Sequence, residues 1–134
     1  TGWMHNRVRM IVGSFLVKHL LINWMEGEKH FKNCLLDYNE ANNISGWQWV
    51  AGCGADAAPY FRIFNPILQG EKFDKDGVYV KKWVPELKNV PKKFIHKPWE
   101  LNDKKILNIE TDYTLPIVIH EKARAKALDA FKKI

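Results

Sequence analysis

Between Arg7 and Leu21 apolar side chains recur in steps of three and four: Val8, Ile11, Val12, Phe15, Leu16 and Leu20. That period is helical, and a stripe this wide predicts a helix buried on most sides. No alternating strand pattern persists elsewhere and no repeat appears, so the expected fold class is all-α. Asn6 is placed to cap this first helix. Arg7 and Arg9 sit at its N-terminal end, where a cation opposes the helix dipole. Arginines placed against that preference call for an anion or a carboxylate partner. Asp37 is one candidate partner for Arg9.

The following segments also read as helices. Glu26 to Leu36 is amphipathic, with Phe31, Cys34 and Leu35 on one face. Asn39 to Ser45 reads as a polar break, and Gly46 to Gly52 as a short helix that carries Trp47 and Trp49. Gly52 to Asp56 is a loop. Asn65-Pro66 opens another helix, with proline in its first turn. Asp76-Gly77 is a turn, and Val78 to Val84 is helical up to Pro85. Lys88 to Lys105 looks irregular and basic, and Thr114 to Pro116 extended. His120 to Lys133 forms a terminal helix with Ala123, Ala127, Leu128 and Phe131 as its apolar face. Nothing marks an internal domain boundary.

At 134 residues the chain is long enough for one domain with a real core. Its hydrophobic content of 46% excludes a disordered tail. A net charge of +6 suits an anionic partner without identifying one. Cys34 and Cys53 fall in no metal-ligand spacing and are expected to be free, buried thiols in a reducing compartment. His5, His19, His30, His96 and His120 are scattered without ligand spacing. They read as surface or capped histidines, and no metal is expected. Met10 to Ile22 is too short to span a bilayer and contains Lys18 and His19, so no membrane association is expected. The chain opens on Thr1-Gly2-Trp3 without a signal peptide, and is expected to begin inside a domain. There is no P-loop, no GxGxxG and no nucleophile elbow.

The chemistry concentrates between Leu36 and Pro66. Asp37, Asn39, Asn42 and Asn43 precede Trp47-Gln48-Trp49, and an aromatic run encloses Arg62. Burying amides and carboxylates is costly unless they are hydrogen-bonded. The group suits either turn hydrogen bonds within a loop or the polar edge of a flat aromatic ligand. Six tryptophans exceed what packing alone calls for. Core packing accounts for Trp3, Trp83 and Trp99. Trp24 and Trp47 have no evident polar role, and easily oxidised rings in a core can relay electrons to a redox cofactor. Arg7, Met10, Trp49, Arg62, Gln69 and Lys72 form a basic, aromatic set. Such a set suits phosphate and an unstacked base, or simply a solvated face.

Several long motifs, in order, carry a resemblance. They are T-G-W-M-H-N-R-V-R-M at 1–10, W-M-E-G-E at 24–28, A-N-N-I-S-G-W-Q-W at 41–49 and A-D-A-A-P-Y-F-R-I-F-N-P at 55–66. Q-G-E-K-F-D at 69–74 and V-K-K-W-V-P-E-L at 80–87 continue it. The chain resembles class I cyclobutane pyrimidine dimer photolyases. The resemblance implies the C-terminal part of their helical FAD-binding domain, spanning 1–134. The N-terminal antenna domain, with its folate or deazaflavin chromophore, would lie outside it.

The same resemblance implies roles. Asn43 corresponds to the asparagine facing flavin N5. Asp37, Tyr38 and Asn39 line the flavin ring, with Arg9 paired to the aspartate and Asn6 nearby. Trp47 and Trp24 correspond to the proximal and middle members of the photoreduction chain. Asn6, Arg7, Met10, Trp49, Arg62 and Gln69 correspond to residues that receive a flipped dimer and its phosphates. The handling of a flipped base is general to such enzymes. The implied activity is light-driven dimer repair by electron transfer from reduced FAD, in a monomeric, cytoplasmic, DNA-associated lyase. One position departs from the family, which has aspartate where this chain has Asn39. Alternatives are a cryptochrome-like flavin photoreceptor and a basic helical module that binds nucleic acid. These 134 residues alone are expected to repair little.

Overall fold

The first predicted helix begins one residue early and changes pitch partway. In the computed structural model, which describes residues 1–104 and 113–133, α1 spans Asn6–Ser14 and passes into a π-helical turn, Phe15–His19. The wider turn closes through the Leu20 amide on the Phe15 carbonyl at 3.1 Å. Leu21 then takes a left-handed backbone, φ +55, and ends the segment. The apolar side chains of α1 are half-buried rather than enclosed. The fully buried positions are Gly13 and Ser14 of α1 and Val17, Lys18 and His19 of the turn. Asn6 does not cap α1. His5 does, its ring Nδ1 accepting from the Arg7 amide at 3.1 Å, and Asn6 is the exposed first helical residue.

Helix α2 spans Trp24–Cys34, capped by the Asn23 side chain. Helix α3 spans Glu40–Ala51, so the polar stretch expected to be a break is its first two turns. The physical reason is the cap. Asn39 Oδ1 accepts from the Asn42 amide at 3.0 Å, satisfying an end that low-propensity residues would otherwise leave frayed. Asparagine and aspartate cap equally well, so Asn39 keeps this function where the family carries aspartate. Gly52, φ +79, closes the helix in the left-handed conformation that glycine tolerates.

The described residues fall into two compact units, Thr1–Phe64 with Val118–Ile134 and Asn65–Ile117. In the first, α1 and α2 pack on α3, and the C-terminal helix α7, His120–Phe131, packs on the π turn. Its core is Val17, Phe31, Trp47, Val50 and Ala51. In the second, α4 spans Pro66–Phe73 behind an Asn65 cap, and α5 spans Val78–Trp83 after the Gly77 turn. Two short 3-10 turns, Pro85–Leu87 and Lys92–Phe94, precede α6, Trp99–Lys104. The segment expected to be irregular is thus partly helical, and its last residue, Lys105, lies outside the described residues. The second core is Leu87, Val90, Phe94, Ile95 and Leu101. No strand occurs among the described residues, as an all-α fold requires.

Some burial differs from expectation. Cys34 and Cys53 are free but exposed, one ending α2 and the other in the loop after α3. Trp3 and Trp83 are 64% and 43% exposed, so packing does not account for them. His19 is buried, not a surface residue.

Candidate functional site

Helices α1, α2 and α3 enclose a cavity of about 460 Å³ within the first unit. That size lies in the range of small-molecule and cofactor sites. Its walls bring together Asn6, Arg9 and Met10 from α1, Asp37, Tyr38 and Asn39 from the α2–α3 connection, and Asn43 and Trp47 from α3. Asn39, Asn43, Gly46, Trp47 and Val50 recur at steps of three and four, so one stripe of α3 faces the cavity. Gly46 has open space where a Cβ would stand.

Arg9 and Asp37 form the expected pair. Arg9 Nη2 donates to both Asp37 oxygens at 2.8 Å, and Nε donates to the Met4 carbonyl at 2.8 Å. Arg9 thereby ties the approach to α1 to the connection before α3. This also answers why a cation sits in the first turn of α1, against the dipole.

Glu28, on α2, organises the other side. Asn43 Nδ2 donates to the Glu28 carbonyl and to Glu28 Oε1, both at 3.1 Å. Both partners are acceptors, so the amide nitrogen faces Glu28 and Oδ1 is left as an acceptor for another donor. Tyr38 Oη donates to the same Oε1 at 3.2 Å. Desolvation and the Glu28 carboxylate raise the Tyr38 pKa, which keeps the phenol protonated as a donor. Sequence reading did not single out Glu28, although it lies in the W-M-E-G-E segment. Only the fold brings it against Asn43, fifteen residues on.

Trp47 is 4% exposed, meets Phe31 edge-on at 5.0 Å, and lies so close to Gly27 that a Cβ there would overlap its ring. Trp24 packs against the core cluster that contains Trp47. Trp49 and Arg62 also meet, the guanidinium 5.9 Å from the ring centroid. Arg7, Trp24, Trp49 and Arg62 belong to this unit but not to the cavity wall. Gln69 lies on α4 of the second unit, its Oε1 buried without a partner among the described residues. No group of three or more metal-ligating side chains occurs among the described residues. Nor, among them, is any helix long and apolar enough to cross a membrane.

Residues 1–133 match the family model described as the FAD-binding domain of DNA photolyase. A deoxyribodipyrimidine photo-lyase of Agrobacterium fabrum is 57% identical over 137 residues, covering 99% of this chain and 29% of that protein. The solved structure of a bacterial class III photolyase from Agrobacterium tumefaciens superposes with a TM-score of 0.87 at 58% identity, over 98% of this chain and 28% of that one. A cryptochrome from Synechocystis superposes with a TM-score of 0.86 at 39% identity, over 96% of this chain and 27% of that one. The chain thus spans under a third of the length of the relatives it matches. With a family model covering nearly every residue and an identity above one half, the chain belongs to the FAD-binding domain family of DNA photolyase.

Proposed function

We propose that this chain forms the flavin-facing and DNA-facing part of a light-driven lyase that splits cyclobutane pyrimidine dimers. The observation that carries the reading is the single cavity on which Arg9–Asp37, Glu28–Asn43 and Trp47 converge. Its donor set fits an isoalloxazine edge. Asn43 Oδ1 can accept from a ring N–H, and Arg9 with Asp37 offers a fixed charged pair. The polar atoms of Asn39 and Asn42 surround the rim, while Phe31 and Trp47 supply apolar wall. When bound, reduced FAD supplies the excited electron that opens the cyclobutane ring and takes it back afterwards.

The residues then divide by role. Glu28 holds Asn43 and Tyr38 in one arrangement, so that the amide oxygen is oriented before any ligand arrives. Asn6, Arg9, Asp37, Tyr38, Asn39 and Asn43 bind the flavin. Trp47 is the nearest redox-active ring and Trp24 the next. Arg7, Met10, Trp49 and Arg62, with Asn6, receive the dimer and its phosphates, and Gln69 contributes from α4. A dimer stacks poorly, which lowers the cost of flipping it out. The flavin domain of 1–134 acts within a longer, monomeric, cytoplasmic protein. An antenna chromophore of folate or deazaflavin type sits on a separate domain.

The test is repair of a dimer-containing oligonucleotide by the full-length, flavin-loaded protein under blue light. Light-dependent recovery of intact pyrimidines is expected, and its absence, with flavin bands present, would favour a cryptochrome-like photoreceptor. That second reading draws on the 39% identity to a cryptochrome, well below the identity to photolyases. The finer assignment to class I rests on N-R-V-R-M at 6–10 and W-Q-W at 47–49. Placing the full-length sequence in a tree that contains both classes tests it, and branching with class III would overturn it.

A further inference from the structure

Lys18 is 1% exposed, and no carboxylate among the described residues offsets that burial. An ammonium enclosed in this way is expensive unless its protons are well used. A methionine would fill a similar space without the cost. What lysine adds is one long-range bond: Nζ donates to the Arg62 carbonyl at 2.7 Å, across 44 positions of sequence. Burial, and then the Arg62 charge, lower the Lys18 pKa, and the Phe131 ring lies 5.9 Å from Nζ.

That bond is one of a set acting on the same loop. Ser14, 2% exposed and one residue before the π turn, accepts from the Phe64 amide at 3.2 Å. The Ala58 amide donates to the Trp49 carbonyl at 3.1 Å, and the Arg62 amide to the Pro59 carbonyl at 2.8 Å. The backbone on both sides of the Arg62 side chain is therefore anchored, and its guanidinium lies over Trp49. The π pitch matters here. It turns Val17, Lys18 and His19 inward as three consecutive buried residues, which an α turn at a surface does not do.

We propose that Lys18, assisted by Ser14, is a positioning residue for Arg62: it fixes the loop so that the guanidinium is held over Trp49, ready for a DNA phosphate. The proposal rests on the reading of Trp49 and Arg62 as DNA contacts. It assigns to a buried cation a role at a surface that it does not itself reach.

The test uses the full-length, flavin-loaded protein and a duplex containing one dimer, with affinity measured across a range of salt. Arg62→Ala should weaken binding about tenfold, as loss of a charged hydrogen bond does, and lower the salt slope by about one. Lys18→Met should do nearly the same with flavin content unchanged, and the double variant should bind no more weakly than Arg62→Ala alone. Wild-type affinity in Lys18→Met, or losses that add in the double variant, would overturn the positioning role. If Lys18→Met does not accumulate, Ser14→Ala carries the same test, and additivity with Arg62→Ala overturns the proposal. Unchanged binding by Arg62→Ala would remove the DNA-contact reading and the proposal together. A sensitive Arg62 with an insensitive Lys18 would remove only the proposal.

Discussion

The two units bury different things. The core cluster of the second unit is wholly apolar, Leu87, Val90, Phe94, Ile95 and Leu101, and its charged pairs lie outside it. Lys92–Asp76 and Lys97–Glu71 are both well exposed, and the Asp74 carboxylate caps the amides of Tyr79 and Val80 at 3.0 Å. The first unit has an apolar cluster of similar size, but buries Ser14, Lys18 and His19 beside it and opens onto a polar cavity. Each of these buried polar side chains has a partner distant in sequence: Ser14 on Phe64, Lys18 on Arg62, His19 on His120 at 2.8 Å. A core that only has to be stable can be apolar throughout. One that must hold a loop, a helix and a cofactor edge in register carries polar groups, which desolvation makes costly.

Substitutions can separate the two cases. Ile95→Ala removes a side chain that is 1% exposed and should cost about 3 kcal/mol. Denaturant unfolding would measure this, and flavin affinity should stay unchanged in the fraction that is folded. Gly27→Ala should cost about 2 kcal/mol by overpacking against Trp47. Here flavin affinity should fall as well, because the displaced indole is a cavity wall. Wild-type flavin affinity in a folded Gly27→Ala protein would break the distinction between the units.

A smaller effect is expected from acid. Burial first, and then His120, lower the His19 pKa from its usual 6.5, with the Ser14 carbonyl opposing. Below pH 6.5 the unfolded chain takes up a proton that folded His19 resists, so stability falls with pH there and is fully present above it. Melting temperature followed between pH 8 and 5 should show that decline, and His19→Leu should flatten it. The smallest effect belongs to the second unit: Lys92→Ala breaks an exposed ion pair and should change stability by less than about 0.5 kcal/mol. A larger loss would mean that surface pairs, and not the dry core alone, hold that unit together.

Much of the scaffold could be read locally. The Asn65 cap, the proline in the first turn of α4, the Gly77 turn and the ends of α5 and α7 follow from the few residues that form them. The Arg9–Asp37 pair was legible because a cation at a helix N-terminus needs a reason. Other features depend on atoms far away in sequence. Asn39 to Ser45 looks like a break until the cap and the packing of α3 on α1 and α2 outweigh its weak propensity. Glu28 lies in an unremarkable stretch of α2 until α3 sets Asn43 beside it. The burial of Lys18 and His19, and the exposure of Trp3, Trp83 and both cysteines, run against the ordinary preferences of those residue types. The family resemblance placed the flavin-facing residues on one surface before any periodicity could, because it carries tertiary information that a single sequence does not.

The π turn at Phe15–His19 also makes chain length a functional variable. Such a turn holds one residue more than the α turn it replaces. Deleting any one residue from it would restore ordinary pitch and rotate everything beyond it by about 100°, one residue's share of a helical turn. Lys18 and His19 would leave the interior together, so the Arg62 loop and the docking of α7 would be lost in one event. Substitutions here can be graded by size and polarity, whereas a single-codon deletion is all or nothing.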